Sequence, residues 1–310
     1  MNSKSTPETM YNGMRVLAIA MQKGGTGKTT LGLHLAIRAA LGHIPEIKKK
    51  VLIIDVDQQQ NSSKTLLKME TIAGDGSPIP PIHPNYDPND PDDSGWGGRS
   101  NSLDLYYDNE IQPYPSALSE RLEILPADGN ALWRFDKIKK GQDQSLLDSI
   151  YKHMHLFFME KDVQDLYDLV IIDCPPGKTL ITTPVMRAAT DIILPAQPET
   201  FGVDGTHKMI FDVMRENEYR KCPINFIGVI PNLCDRTNDH KTKLAALRSN
   251  SLTAPYTAPF SMHRYVSMRI ESLPMESMTK CTLGNKKAES QVQRFVEYVG
   301  DSMFKERRSY

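Results

Sequence analysis

Residues 15–42 constrain the fold more than any other part of the chain, because an apolar run, a glycine cluster and an amphipathic stretch follow one another directly. "RVLAIAM" carries the continuous hydrophobicity of a strand buried on both faces. In "QKGGTGKTTLGLHLAIRAALG" the glycines let the backbone curl so that successive N–H groups point inward, and a helix starting near Lys28 adds its positive N-terminal end. Leu31, Leu35, Ala36, Ala39 and Ala40 give that helix one apolar stripe. Strand, loop and helix in this order make a cradle for phosphate oxygens. Gly24, Gly25, Thr26, Gly27 and Thr30 are expected to line it, Lys28 to reach the β- and γ-phosphates, and the Thr29 hydroxyl to face a magnesium ion. The common form of such a loop, G-x-x-x-x-G-K-[ST], has a glycine where this chain has Gln22, and a second lysine, Lys23, stands just ahead of the glycines.

Further short apolar runs recur along the chain: "VLIID" (51–55), "LEIL" (122–125), "LVIID" (169–173), "DIILPA" (191–196) and "INFIGVI" (224–230), with helix-like stretches between them. This rhythm predicts an α/β fold, a doubly wound, mostly parallel sheet flanked by helices. Residues 14–310 are expected to form one domain behind a polar tail at 1–13, which does not read as a targeting peptide. Residues 72–116, dense in Pro, Gly, Asp and Asn, break the rhythm and are expected to be a surface loop or a partly disordered insert.

With 37 Lys and Arg against 38 Asp and Glu, no global basic field points to nucleic acid or membrane, so any such surface must be local. Cys174, Cys222, Cys234 and Cys281 are scattered without a C-x-x-C pair, which suits reduced thiols in a cytoplasmic protein better than a disulfide frame or a zinc site. His153 and His155 are expected on an ordinary helix surface. No apolar run approaches the ~20 residues that span a bilayer.

Carboxylates at the ends of buried parallel strands lie where a doubly wound sheet places its ligands. Asp173 ends "LVIID" and is expected to hold magnesium through water. Asp55 and Asp57 flank Val56, so on extended backbone both point to the same side.

"KGGTGKTT" resembles the deviant phosphate-binding loop K-G-G-x-G-K-[ST] of the ParA/MinD family of dimeric ATPases, in which the early lysine is the mark of the family. "VLIIDVDQQQNSS", "YDLVIIDCPPG" and "IGVIPNLCDRTNDH" resemble later family segments in the right order, so the resemblance covers nearly the whole chain. It implies a P-loop ATPase that uses ATP and Mg2+ and closes as a homodimer. Lys23 would then reach across to the partner's phosphates, as a trans-acting arginine finger does. Lys28 would act from within its own loop, Asp55 would lie near the metal shell, and Asp57 would orient the attacking water. Asn232 would read the adenine edge. The family's proline after the second aspartate is Gln58 here, which leaves the division of labour between Asp55 and Asp57 open.

Within the family, the scattered cysteines suit neither iron–sulfur nor metal-trafficking relatives. The ParA-like branch implies nonspecific DNA binding in the ATP state, with Arg264 and Arg269 as contacts and Lys280, Lys286 and Lys287 further on. A ParB-type adaptor would stimulate hydrolysis, the function would be partition of a plasmid or chromosome, and the ATP form would associate with the nucleoid. The alternative is a MinD-like or cargo-positioning ATPase acting on a membrane or protein assembly. The C-terminal helix pattern, Val292, Phe295, Val296, Val299 and Met303 interrupted by Glu297 and Asp301, favours a packed helix over a membrane-binding one, although "FKERR" keeps that option open.

Overall fold

The computed structural model describes residues 10–72, 74–90, 96–107, 109–138, 144–270, 278 and 285–305. Lys280, Cys281, most of the 1–13 tail and the last residues of "FKERR" lie outside this set. In chain order the strands are β1 (Arg15–Ile19), β2 (Lys50–Asp55), β3 (Glu70–Thr71), β4 (Pro78–Ile79), β5 (Tyr114–Pro115), β6 (Leu122–Leu125), β7 (Tyr167–Asp173), β8 (Asp191–Ala196) and β9 (Asn225–Pro231). The helices are α1 (Lys28–Ala40), α2 (Asn61–Leu66), α3 (Gly129–Asp136), α4 (Gln144–Met159), α5 (Lys161–Leu166), α6 (Thr182–Ala188), α7 (Thr200–Asn217), α8 (Asn238–Ser249) and α9 (Lys286–Phe304).

Seven strands form one sheet in the order β5-β6-β2-β7-β1-β8-β9, while β3 and β4 make a separate antiparallel hairpin. All neighbours in the large sheet run parallel except β5 against β6. The chain leaves β1, skips a position to reach β2, and later fills the gap with β7 before crossing to β8. Such a reversal opens a crevice at the carboxyl ends of the strands, where ligands of doubly wound sheets bind.

Alternate residues of each central strand supply two cores. Val16, Ala18, Leu52, Ile54, Val170 and Ile172 face α4, α6 and α7, through side chains such as Met154, Val185 and Ile210. Leu17, Ile19, Val51, Ile53, Leu169 and Ile171 face α1 and α9. Continuous apolar runs are therefore required, because the period-two alternation feeds apolar layers on both sides. The apolar residues of α9 (Val292, Phe295, Val296, Val299 and Met303) are all spent in this second core. Among the described residues no helix is long and apolar enough to cross a membrane.

Two features differ from what composition suggests. Within 72–116, the His83 ring packs on Tyr114 and Trp96 with centroids 4.7 and 5.4 Å away, and Tyr86 meets Trp96 edge-on at 5.6 Å. Leu105 and Tyr106 enter the main core, where the Tyr106 hydroxyl donates to the Ile181 carbonyl at 2.9 Å. A few aromatic rings bury enough area to order a segment whose average composition is polar. His155, expected on a free helix surface, has its Nδ1 2.7 Å from the hydroxyl of fully buried Tyr11, which also donates to the Ala188 carbonyl at 2.9 Å.

His34, in the middle of α1, is fully buried and lies with its Nε2 3.0 Å from the Met268 carbonyl. Burial pushes its imidazole down to about 4; the Met268 carbonyl opposes this and the Arg38 guanidinium adds to it. Below about 6.5 the unfolded chain takes up a proton here that the folded chain refuses, so this contribution is complete above that pH and is lost as pH falls towards about 4. The urea midpoint is expected to drop across this window. In His34→Gln, which cannot be protonated, the drop should be shallower, and equal slopes in the two proteins would remove the assignment.

Candidate functional site

β1 ends at Ile19 and α1 begins at Lys28, so residues 20–27 form the loop that the glycines predict. Gly25 and Gly27 have φ of 73° and 83°, in the left-handed region that favours glycine. At Gly27 there is a second reason, since a Cβ would collide with the side-chain amide of Asn232. Gly24 through Leu31, Asp57, Gln59, Asn61, Pro176, Asn232 and Leu233 line a cleft of about 440 Å³, closed on its far side by residues between His263 and Arg269. Lys28 is buried within it, at the N-terminus of α1. A lysine, a helix N-terminus and inward-curled amides facing one cleft make a site for concentrated negative charge.

The carboxylates come from strand register. Asp55 and Asp173 are direct partners across β2 and β7, and Ile19, the last residue of β1, pairs with Asp173 from the other side. Both carboxylates are fully buried. Burial, and then the neighbouring Asp173 charge, pushes Asp55 up to about 7. Burial also pushes Asp173 up to about 6; the nearby Thr29 hydroxyl and the Ser62 hydrogen bond work against this, and the Asp57 charge works with it. Two buried carboxylates this close favour a proton or a cation between them.

Their hydrogen bonds separate their positions. Asp55 Oδ1 accepts from the Asp57 N–H at 3.0 Å, and its Oδ2 accepts from the Ser63 N–H and hydroxyl at 2.9 and 2.7 Å. Asp55 thus braces the turn that follows β2 and does not line the cleft. Asp57 does line it, and so sits where Asp55 does not. Ser62 donates to Asp173 Oδ2 at 2.8 Å, while Asp173 Oδ1 is buried without a partner. That orphaned oxygen, with the Thr29 hydroxyl beside Asp173, fits a divalent cation. Among the described residues no three His, Cys, Asp or Glu side chains form a metal cage. Magnesium held largely by phosphate oxygens and water needs none.

Other expected residues lie in less obvious places. Lys23 is absent from the cleft lining and forms an ion pair with Glu199, the residue just before α7, with each side chain about one third exposed. Asn232 is buried, and its amide donates to the Thr26 carbonyl at 2.8 Å, tying the end of β9 to the phosphate loop. Arg264 and Arg269 stand at the cleft wall, Arg264 within 3.3 Å of Asp235. Lys286 and Lys287 open α9, away from the cleft lining. Sequence reasoning missed Ser62, Ser63, Glu199 and the wall at His263–Met268. The two serines follow the aspartates in "DVDQQQNSS", but nothing local marks Glu199 or the wall, which the tertiary fold brings to the loop.

Residues 17–258 match the family model described as the CobQ/CobB/MinD/ParA nucleotide binding domain. The chain belongs to this family. Among its curated relatives, the sporulation initiation inhibitor protein Soj of Bacillus subtilis is 25% identical over 72% of this chain and 75% of its own length. The chromosome partitioning protein ParA of Caulobacter vibrioides is 27% identical over 76% of this chain and 75% of its own. Among solved structures, a McdA–ATP complex from Cyanothece superposes with a TM-score of 0.65 at 20% identity, covering 96% of this chain and 99% of that one. The septum site-determining protein MinD of Pyrococcus horikoshii, solved with Mg-ADP, gives 0.59 at 18% identity, covering 92% and 96%. These likenesses place the sheet and its flanking helices in the P-loop fold of this family.

Ser63 joins Asp55 to the Ala127 N–H, which donates to its hydroxyl at 2.9 Å. Ser63→Ala strips a buried carboxylate and a buried amide of partners and is expected to cost about 1–3 kcal/mol, read as a lower midpoint in chemical denaturation. An unchanged midpoint would mean that water replaces the hydroxyl.

Proposed function

We propose that this chain is an ATP-dependent dimeric switch that hydrolyses ATP to ADP and phosphate, binds DNA without regard to sequence in its ATP state, and partitions a plasmid or chromosome together with a ParB-type adaptor. One observation carries the nucleotide part: a buried lysine and a helix N-terminus line the same cleft as the Asp57 carboxylate, and the orphaned oxygen of buried Asp173 lies close to Lys28, Thr29 and Asp57 of that lining. The relative named for chromosome partitioning supports the partition role.

Phosphoryl transfer to water is accelerated mainly by positioning and by neutralising charge. In the proposed scheme the loop amides and Lys28 bind the β- and γ-phosphates, and Thr29 and Asp173 hold Mg2+. The ion when bound draws charge from the phosphate oxygens. Asp57, which faces the cleft, orients the attacking water, and Asp55 keeps the turn of Asp57 in place. Asn232 braces the loop and presents its amide to the adenine end. Lys23 leaves Glu199 and serves the partner's phosphates when two protomers close. Arg264 and Arg269 carry the DNA grip at the cleft wall, where the nucleotide state reaches them directly. The apolar face of α9 is occupied in the core, which favours DNA over a membrane as the second ligand.

Lys23→Ala is expected to retain ATP binding and to lose hydrolysis by about 1,000-fold or more, within the span seen for trans-acting cations; turnover equal to the parent would end the cross-subunit role. ATP-loaded protein is expected to retard random duplex DNA, with affinity falling steeply between roughly 50 and 200 mM salt as counterion release requires. Equal retardation with ADP would contradict a nucleotide-gated grip.

A further inference from the structure

The far wall of the cleft is an irregular stretch with little regular structure of its own. A 3-10 turn, Val266–Met268, interrupts it, and the stretch contributes His263, Arg264, Tyr265, Met268 and Arg269 to the lining. Its position depends on what holds it. At one end the Cys234 N–H donates to the Met262 carbonyl at 2.9 Å, the Arg264 N–H donates to the Cys234 carbonyl at 3.2 Å, and the His263 ring lies 3.0 Å from that same carbonyl. From α9, the Gln291 side chain accepts from the His263 N–H at 2.8 Å. These ties fix residues 262–264; further on, Met268 and Ile270 are buried in the second core, and the Met268 carbonyl meets one side chain of α1.

That side chain is His34, which adds a directional bond to the apolar packing. Its Nε2 faces the Met268 carbonyl at 3.0 Å, and because a carbonyl can only accept, Nε2 carries the proton. Nδ1 is then the bare nitrogen, and it is buried without a partner. A buried ring nitrogen left unsatisfied costs free energy, so the imidazole is an expensive choice for this position unless its single bond has a use. The bond spans 234 residues of sequence and joins the helix whose first turn faces the phosphates to the wall opposite.

We propose that His34 is a positioning residue for the nucleotide: it holds the Val266–Met268 turn against α1, so that the cleft wall meets the part of the ligand remote from its phosphates. The inference rests on the proposed nucleotide-binding role of the cleft and adds to it a determinant of affinity two helical turns below the phosphate loop. His34 touches no ligand, and its effect is exerted through the wall. Losing the bond therefore weakens nucleotide binding while the groups around the γ-phosphate stay in place.

The test compares substitutions in the full chain. A glutamine Nε2 can stand near the position of the imidazole Nε2 and still donate to Met268, whereas an asparagine amide is too short to reach. His34→Asn is expected to weaken Mg-ADP binding about ten-fold by calorimetry and to raise the KM for ATP similarly, with kcat within about two-fold of the parent. His34→Gln is expected to stay within about three-fold of the parent in both. Should His34→Asn fail to fold, judged by its circular dichroism melt, His34→Leu takes its place, with the same expected loss. Equal affinities for the short and the long substitution, or a fall in kcat at unchanged KM, would overturn the role of His34. Failure of the parent itself to bind Mg-ADP would instead sink the nucleotide-binding reading of the cleft.

Discussion

Everything around the cleft depends on the pairing of Asp55 with Asp173 across two adjacent parallel strands. Two fully buried carboxylates of like sign are costly, and the chain tolerates them only because each is surrounded by donors: Ser63 and the Asp57 amide for one, Ser62 and Thr29 for the other. Burial nonetheless leaves both carboxyls raised above their ordinary range. The helix N-terminus and Lys28 line the adjoining cleft, and the Lys28 charge reaches Asp173. Lys28, the α1 N-terminus and Asp57 thus line one cleft of about 440 Å³, held in place by sheet and helix.

Sequence showed the frame of this arrangement clearly. Strand ends at Asp55 and Asp173, the left-handed glycines and the helix at Lys28 follow from local rules of hydrophobic run, φ and spacing, and the observed sheet obeys them. What stayed hidden was relational. Glu199 is an ordinary acidic residue until the fold sets it beside Lys23. His34 reads as one polar interruption in an apolar helix stripe until Met268 arrives from 234 residues away. The aromatic cluster of His83, Tyr86, Trp96 and Tyr114 was masked by averaging, because four rings in a stretch rich in Pro, Gly and Asp leave the mean composition polar while deciding whether the stretch can pack.

The Lys23–Glu199 pair shows how a partly exposed contact can matter without being strong. Ion pairs at such sites contribute about 0–1 kcal/mol, and Lys23 holds the Glu199 carboxyl below its ordinary range. A pair of this strength keeps a lysine in a defined place within the free protomer and opposes its departure only weakly. α7 therefore begins at a contact with the phosphate loop, and further along its length Asp212 meets Lys178 at 3.1 Å, in the loop that follows Asp173.

The Gln60 carboxamide lies at the centre of another junction. Its nitrogen donates at 2.9 Å both to the Pro78 carbonyl on the small hairpin and to the Ala127 carbonyl beyond β6, while its own backbone amide closes the turn onto the Asp57 carbonyl at 2.9 Å. One buried side chain thus fastens the peripheral ribbon to the turn that aims Asp57. The anchor of that ribbon thus lies three residues from the carboxylate lining the cleft, and displacing the hairpin would break one or both of these hydrogen bonds before it could leave Asp57 undisturbed.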